Sequence, residues 1–327
     1  MTISDLARHL GMAESTISKA LNNRSDVSEA VKALVSSTAA ELGYTPNPAA
    51  RKLALQSSGT LGIFLLNRFD RPVDSYFGYQ FLGGIMKESQ IQGLDVLLFS
   101  ECLELKNAGY LSYCRRKGVE GAIFVGLSPQ DSQISALSTG EFPLISIDTP
   151  IPGSHRGFIT SDNRGGIESL VTHQWNQGAK NLGYLGIRGE GYVAVSRRES
   201  FIATAQKLGC YEDKFVLESV LSLEGGREAA LMLLSRSSKP EALVCATDLQ
   251  ALGALEAAKE LGIRVPQDLK ISGFDNIQAS AFSHPPLTTY AQDTLAMGSL
   301  AVKALRGPIP DSQPHFVPGS LIVRHST

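Results

Sequence analysis

The chain has 327 residues, 43% of them hydrophobic, with 30 Lys and Arg against 32 Asp and Glu for a net charge of −2. That length makes room for two or three domains with a sizeable core, and the charge balance by itself points to no polyanionic partner. No run of 18 apolar residues offers a transmembrane helix, the opening MTISDLARHL lacks the basic-then-apolar secretory pattern, and a cytoplasmic protein is expected. Cys102, Cys114, Cys210 and Cys245 are far apart beside apolar neighbours, which suits buried reduced thiols rather than a disulfide framework.

The head comes first. Residues 1–57 hold six Lys/Arg and five Asp/Glu, so any claim of DNA binding rests on pattern and not on charge. Apolar spacing predicts helices from about Ser4 to Leu10 and from Glu14 to Leu21, with Gly11 allowing the turn between them. A third starts after Ser28, a good N-cap, and runs through Val31, Val35, Thr38 and Leu42 to a stop at Gly43. The outer side of the second helix is small and polar: Glu14, Ser15, Thr16, Ser18 and Lys19. A helix-turn-helix places its second helix in a major groove, buttressed by its neighbours; from spacing alone, a plain three-helix protein-binding domain stands equally open.

Next comes YTPNPAARKLALQSSGT. Asn47 can cap one or two helical turns begun by Pro48, and QSSG is a short flexible tether. A nine-residue helix is marginal alone. Leu53 and Leu55 have no obvious core, so they either pack on the next domain or form an apolar wedge for a DNA minor groove.

From Thr60 the pattern changes to short apolar runs separated by helical segments: TLGIFLL, LDVLLFS, GAIFVG, PLISID, NLGYLGI, ALVCAT and LKISGFD, with a last strand at Ser320–Arg324. Such runs are strands of parallel sheets covered on both faces, and some 270 residues call for two α/β lobes. Ligands of open α/β sheets sit outside the carboxyl ends of strands. Those ends carry Asp148, Thr247 with Asp248, and Asp275, while Arg198 lies early in the helix after NLGYLGI. Carboxylate acceptors and a guanidinium donor suit a polyhydroxylated ligand, although each aspartate could also be a helix cap.

Little points to catalysis. The loop GIRGEG (Gly186–Gly191) lacks the spacing of a dinucleotide-binding turn, and the six histidines are scattered without metal-ligand spacing. No paired nucleophile and base is evident, and Trp175 reads as core. No catalytic residue, metal or cofactor is expected.

Several stretches, in order, carry a resemblance: TISDLARHLGMAESTISKALNNRSDVSEAVKALVSSTAAELGYTPNPAARKL, ITSDNRGG, ATDLQALGALEAAKELGIRVPQDLKISGFDNI and PPLTTYAQD. The chain resembles, essentially end to end, the lac-repressor (LacI/GalR) family of bacterial transcription regulators. The resemblance implies a three-helix helix-turn-helix head with a hinge helix at about 47–55, together spanning 1–57. A two-lobed periplasmic-binding-protein-like domain with parallel sheets would follow over 58–327. Its N-lobe would hold about 60–160 and 292–318, its C-lobe about 161–291 and 319–327.

The same resemblance implies roles. Glu14, Ser15, Ser18 and Lys19 would face bases, Thr16, Asn22 and Ser28 phosphates or caps, and Asn47, Ala50 and Leu53 the hinge contacts, Leu53 intercalating in a kinked palindromic operator. Lys19 stands where the family often has Arg, and Ala13 where a Ser usually caps the second helix. Phe77, Asp148, Arg198, Leu221, Thr247, Asp275 and Thr294 would line the effector site. Thr247 replaces an Asn common in sugar-binding members, and Leu221 and Thr294 replace stacking aromatics. The implied protein is a homodimer with helices near 79–92 and 248–261 at its interface. It would be a repressor of carbohydrate-utilisation genes switched by a small hydroxyl-rich effector, a sugar or sugar derivative in kind. The alternatives are a corepressor-dependent regulator responding to a nucleobase or another metabolite, or a sugar-binding protein or enzyme on the same fold.

Overall fold

The computed structural model describes residues 2–22, 24–44, 58–66, 72–100, 102–307 and 313–327, with 72–77 and Lys106 described by their backbone alone. The chain divides into two compact units, Met1–Gly59 and Thr60–Thr327.

The first unit contains α1 (Ile3–Leu10), α2 (Glu14–Leu21) and α3 (Glu29–Glu41). Thr2 and Asp5 form a reciprocal capping box that starts α1. Gly11 ends it in the left-handed region at φ 63°, which a residue without a β-carbon adopts at no steric cost. Ser28 caps α3 by accepting from the Val31 N–H, whereas Ala13 gives α2 no side-chain cap. Leu6, Ala7, Ile17, Ala20, Val35 and Ala39 form the buried core of this unit.

The second unit begins with β1 (Thr60–Leu65), α4 (Pro72–Ile91), β2 (Asp95–Phe99), α5 (Leu103–Ala108), α6 (Tyr110–Lys117) and β3 (Gly121–Val125). It continues through α7 (Ile134–Leu137), β4 (Leu144–Ile147), β5 (Arg156–Ser161), α8 (Asn163–Asn176), β6 (Leu182–Ile187) and α9 (Tyr192–Leu208). Then come β7 (Tyr211–Ser219), α10 (Leu223–Leu234), β8 (Ala242–Cys245), α11 (Asp248–Glu260), β9 (Lys270–Asp275) and α12 (Gln278–Phe282). The last elements are β10 (Thr288–Ala291), α13 (Thr294–Arg306), β11 (Pro314–Val317) and β12 (Ser320–Ile322).

These strands form two six-stranded sheets, β11-β5-β4-β3-β1-β2 and β12-β10-β9-β8-β6-β7. Strands β1, β3, β4 and β5 are buried at every residue, the pattern of a sheet covered on both faces. The first sheet is parallel throughout. The second departs from the all-parallel expectation at its edge, where β12 runs antiparallel to β10. The reason is its point of entry: the chain arrives from β11 across Pro318 and Gly319 at the carboxyl end of β10, so it can only run back down the sheet.

The chain thus crosses between lobes three times, after β5, β10 and β11. The crossings touch: the Asp162 N–H donates to the Val317 carbonyl at 3.0 Å, and the Gly319 N–H to the Tyr290 hydroxyl at 2.9 Å.

Each lobe has one very close helix crossing. A β-carbon on Gly84 of α4 would lie 2.0 Å from the Leu295 carbonyl oxygen of α13, and one on Gly253 of α11 would lie 2.1 Å from the Leu223 carbonyl oxygen of α10. Arg156 at the start of β5 is wholly buried, and among the described residues no carboxylate pairs with it. Its guanidinium donates instead to the carbonyls of Leu137, Thr139, Gly140, Phe142 and His155, pinning the turn between α7 and β4.

Candidate ligand cleft and DNA-facing helix

Between the lobes of the second unit lies a cleft of about 530 Å³, a size that suits a small molecule. Its walls are loops at the carboxyl ends of strands from both sheets: Gly126–Gln130 after β3, Asp148 and Thr149 after β4, Arg188–Tyr192 after β6, Leu221 after β7, Thr247 after β8, Asp275 ending β9 and Gln292 after β10. This is where the parallel topology opens the sheets to a ligand.

Two carboxylates face the cleft from opposite lobes. Asp148 and Asp275 both occupy the left-handed region, at φ 65° and φ 113°, and Asn276 follows at φ 52°. Non-glycine residues held there cost about 1–3 kcal/mol each and need local bonds to keep them. The Thr160 hydroxyl donates to Asp148 Oδ1 at 2.8 Å, and Gln292 Nε2 to Asp275 Oδ1 at 2.6 Å. The Arg324 guanidinium holds Asn276 Oδ1 at 2.7 Å, and the Thr289 hydroxyl accepts from the Asn276 N–H.

Arg197 also lines the cleft and is almost fully buried. Its Nε donates to Asn163 Oδ1 at 2.7 Å, and its Nη1 to the Ala246 carbonyl at 2.6 Å and to Asp275 Oδ1 at 3.5 Å. The guanidinium carbon sits 3.6 Å from the Phe274 ring centroid, a cation–π stack that fixes its plane. Asn163 Nδ2 donates in turn to Thr160 Oγ1 at 2.9 Å. A continuous polar chain therefore runs Asp148–Thr160–Asn163–Arg197–Asp275–Gln292, from one lobe to the other beside two of the crossings. At its end the buried Gln292 Oε1 has no hydrogen-bond partner among the described residues.

The placement of Arg198 requires a correction. It does not line the cleft; its guanidinium pairs with Glu218 and Glu190. The cause is helical register. In α9 the buried residues Ala194, Arg197, Phe201 and Ala205 recur every three or four positions, so Arg197 points inward and Arg198, one step of about 100° on, points out. Thr294 also lies outside this cleft: it is buried, donates to Gln80 Oε1 at 3.0 Å, and lines a neighbouring recess that shares Gln292. Asp148, Leu221, Thr247 and Asp275 do line the cleft. The side chain of Phe77 lies outside the described residues.

Asp248 is neither a cleft residue nor the cap of α11, a role that Thr247 fills by accepting from the Gln250 N–H. Asp248 is fully buried and accepts from the Ile277 N–H at 2.9 Å and the Thr289 hydroxyl at 2.5 Å. Burial, and then the neighbouring Asp275 charge, push its carboxyl well above the usual carboxylate range, against the lowering pull of those donors. It thereby anchors the strained turn that carries Asp275.

Sequence reasoning missed Arg197, Asn163, Thr160 and Gln292. The signal for Arg197 was its spacing to Phe201. Asn163 sits in the quoted ITSDNRGG and Gln292 in PPLTTYAQD, so the pattern marked both without giving them a role. The loop GIRGEG, set aside as an unsuitable phosphate turn, forms part of one cleft wall. Among the described residues, the lining has a single aromatic side chain, Tyr192.

In the first unit, Ile17 and Ala20 of α2 face the core while Glu14, Ser15 and Lys19 are exposed and Thr16, Ser18 and Asn22 are half-buried. Asn22 Nδ2 donates to the Ser18 carbonyl at the end of the helix, and Ser28 is exposed at the start of α3. Lys19 Nζ pairs with Asp26 Oδ2 at 2.7 Å. Asn47, Ala50 and Leu53 lie outside the described residues.

Among the described residues, no helix is long and apolar enough to cross a membrane, and no three His, Cys, Asp or Glu residues are grouped to hold a metal ion. The four cysteines are free, with Cys102 only half-buried.

Comparison with known proteins gives two matching family models. That of bacterial regulatory proteins, lacI family, matches residues 2–47, and that of a periplasmic binding protein-like domain matches residues 171–327. The HTH-type transcriptional regulator reg1 of Streptomyces lividans is 31% identical over 99% of this chain and 96% of its own. The lac repressor dimer bound to operator and the anti-inducer ONPF superposes with a TM-score of 0.77 at 25% identity, over 100% of this chain and 98% of that one. The complex of the transcriptional regulator CelR with cellobiose has the same fold, with a TM-score of 0.74 at 22% identity over 100% of both chains. Such relatives are regulators rather than enzymes, and this chain belongs to the lacI family of bacterial regulatory proteins.

Proposed function

We propose that this DNA-binding regulator acts in the cytoplasm as a homodimeric repressor of carbohydrate-utilisation genes, and that a small hydroxyl-rich effector in the inter-lobe cleft switches its affinity for a palindromic operator. The observation that carries the effector reading is the pair of carboxylates, Asp148 and Asp275, facing one cleft from opposite lobes, with Arg197 in the same lining and bonded to Asp275. Vicinal hydroxyls can donate to the carboxylates and accept from the guanidinium, so one ligand draws on both lobes. A planar nucleobase is better served by aromatic faces, and Tyr192 is the single aromatic in the described lining. The cellobiose held by CelR and the operator held by the lac repressor dimer support this reading by likeness.

The hinge of 47–55, with Asn47, Ala50 and Leu53, is proposed to order on bent DNA when the two subunits bring their hinges together. For the dimer face, Tyr79, Met86 and Ile91 on α4 and Leu97 and Leu98 on β2 are exposed apolar side chains. Helix α11 is packed into its own lobe and leaves mainly Glu256, Lys259 and Glu260 outward, so it is proposed to add little to that face.

The test is selection of bound fragments from the source genome by the full-length protein, with and without a metabolite mixture. A recurring palindrome beside sugar-utilisation genes, released by the mixture, supports an induced repressor; a palindrome captured only with the mixture supports a corepressor. Enrichment of no sequence under either condition overturns the proposal.

A further inference from the structure

Lys19 is the one exposed cation on α2, the helix taken above to face DNA, and it is already paired: its Nζ lies 2.7 Å from Asp26 Oδ2, with both side chains a little more than half exposed. Asp26 belongs to the connection between α2 and α3 rather than to a packed element, and Ser28 rather than Asp26 caps α3. Among the described residues the side-chain partner of this carboxylate is Lys19, seven residues back, and not a helix cap.

We propose that Asp26 sets the selectivity of this head by holding Lys19, so that the lysine adds little to general phosphate attraction and is presented to a base edge. This rests on the reading of α2 as the recognition helix. Phosphates line every duplex, whereas a guanine edge in the right frame occurs only at the operator. An unpaired lysine on this face would bind any phosphate within reach of its flexible stem. Asp26 competes for the same ammonium and cancels its charge in the far field. The ammonium has three donors, so one can stay on Asp26 while another reaches guanine O6 or N7. The carboxylate thus supplies some of the fixed direction that an arginine fork would have and a lysine lacks. The balance of only +1 over residues 1–57 fits a head whose non-specific attraction is held low.

The experiment uses full-length protein and a 30-base-pair duplex of mixed sequence, with anisotropy titrations across a salt series. Asp26→Asn should tighten this non-specific binding roughly two- to fivefold, the range of an exposed ion pair. It should also steepen the plot of log affinity against log salt by about 0.9, one added phosphate contact. Glu41→Gln, an exposed site on α3 away from the pair, makes the same change in net charge and should do neither. In a Lys19→Ala background Asp26→Asn should no longer steepen the salt dependence, because no lysine is freed to reach a phosphate. Selection from a random duplex library should give a less sharply defined site for Asp26→Asn than for the wild type. If Lys19→Ala weakens binding while Asp26→Asn matches the wild type in slope and affinity, the pair has no such role although α2 still faces DNA. If neither substitution changes binding, the reading of Lys19 at the DNA fails as well. Equal gains from Asp26→Asn and Glu41→Gln would reduce the effect to net charge and overturn the proposal.

Discussion

Arg197 and Arg198 are adjacent in sequence, yet one is almost fully buried beside Asp275 and the other pairs with Glu218 and Glu190. Truncating Arg197 would strip Asn163 Oδ1 and the Ala246 carbonyl of a charged donor and leave Asp275 with less countercharge. Arg197→Ala should weaken the effector identified by selection by about 100-fold or more, since hydrogen bonds to charged groups contribute about 1.5–3 kcal/mol each. Arg197→Lys should restore only part of this, having no planar fork. Arg198→Ala should change it by no more than about threefold, the scale of a part-exposed pair. Titration of operator release checks all three, and an intact response in both Arg197 variants would remove that residue from the site.

Asp248 makes a second residue-scale prediction, through pH. Its folded-state pKa is raised by burial and by Asp275. A raised pKa means that the folded state holds this proton more tightly than the unfolded chain does. The stabilisation is complete below the ordinary carboxylate pKa of 3.8 and is lost as pH rises through the folded value. Asp248→Asn mimics the protonated form and carries no such pH dependence. Denaturant titrations of both proteins should therefore show the balance shift toward the variant as pH rises from about 4 and then level off; a difference independent of pH would mean that folding does not raise the Asp248 pKa. The strand-end aspartates were legible because strand boundaries follow from apolar runs. What distinguished Asp248 from its neighbours was not, since two carboxylates at strand ends look alike until the sheet shows which one is covered.

At the scale of elements, the lobes depend on glycines at helix crossings. Gly83 and Gly84 are adjacent on α4, but a β-carbon on Gly83 meets only the end of the Leu295 side chain, at 2.9 Å, while one on Gly84 meets the Leu295 backbone at 2.0 Å. A side chain can rotate away; a backbone carbonyl in a packed helix cannot. Gly84→Ala should therefore cost about 1–3 kcal/mol or more through overpacking, and Gly83→Ala much less, because alanine also favours the helix. Unfolding in denaturant measures both, and equal costs would mean that α4 and α13 can move apart freely. The two parallel sheets and the three-helix head were legible as periodicity. These crossings were not, because a glycine in a helical pattern looks the same whether it faces solvent or another helix. The antiparallel β12 was likewise hidden: its residues read as a strand, and only the point where the chain re-enters the lobe sets its direction.

The whole molecule joins two units of very unequal core. Among the described residues, six buried apolar side chains hold the first, while the second has four clusters spread over both faces of two sheets. Small domains bury a lesser share of their surface and are correspondingly marginal. On the proposed reading the partners also divide by unit, with DNA at the first and the effector in the cleft of the second. A ligand stabilises only the unit whose folded state it binds, by about 2.7 kcal/mol at a hundredfold excess over its dissociation constant. Calorimetry of the full-length protein should accordingly resolve a small early transition and a large later one. Operator DNA should raise the early transition, the effector should raise the later one, and removal of residues 1–59 should abolish the early one while leaving the later in place. A single transition that DNA moves as a whole would show that the head has no stability of its own, and its α2 surface would then depend on the larger unit for its shape as well as for its regulation.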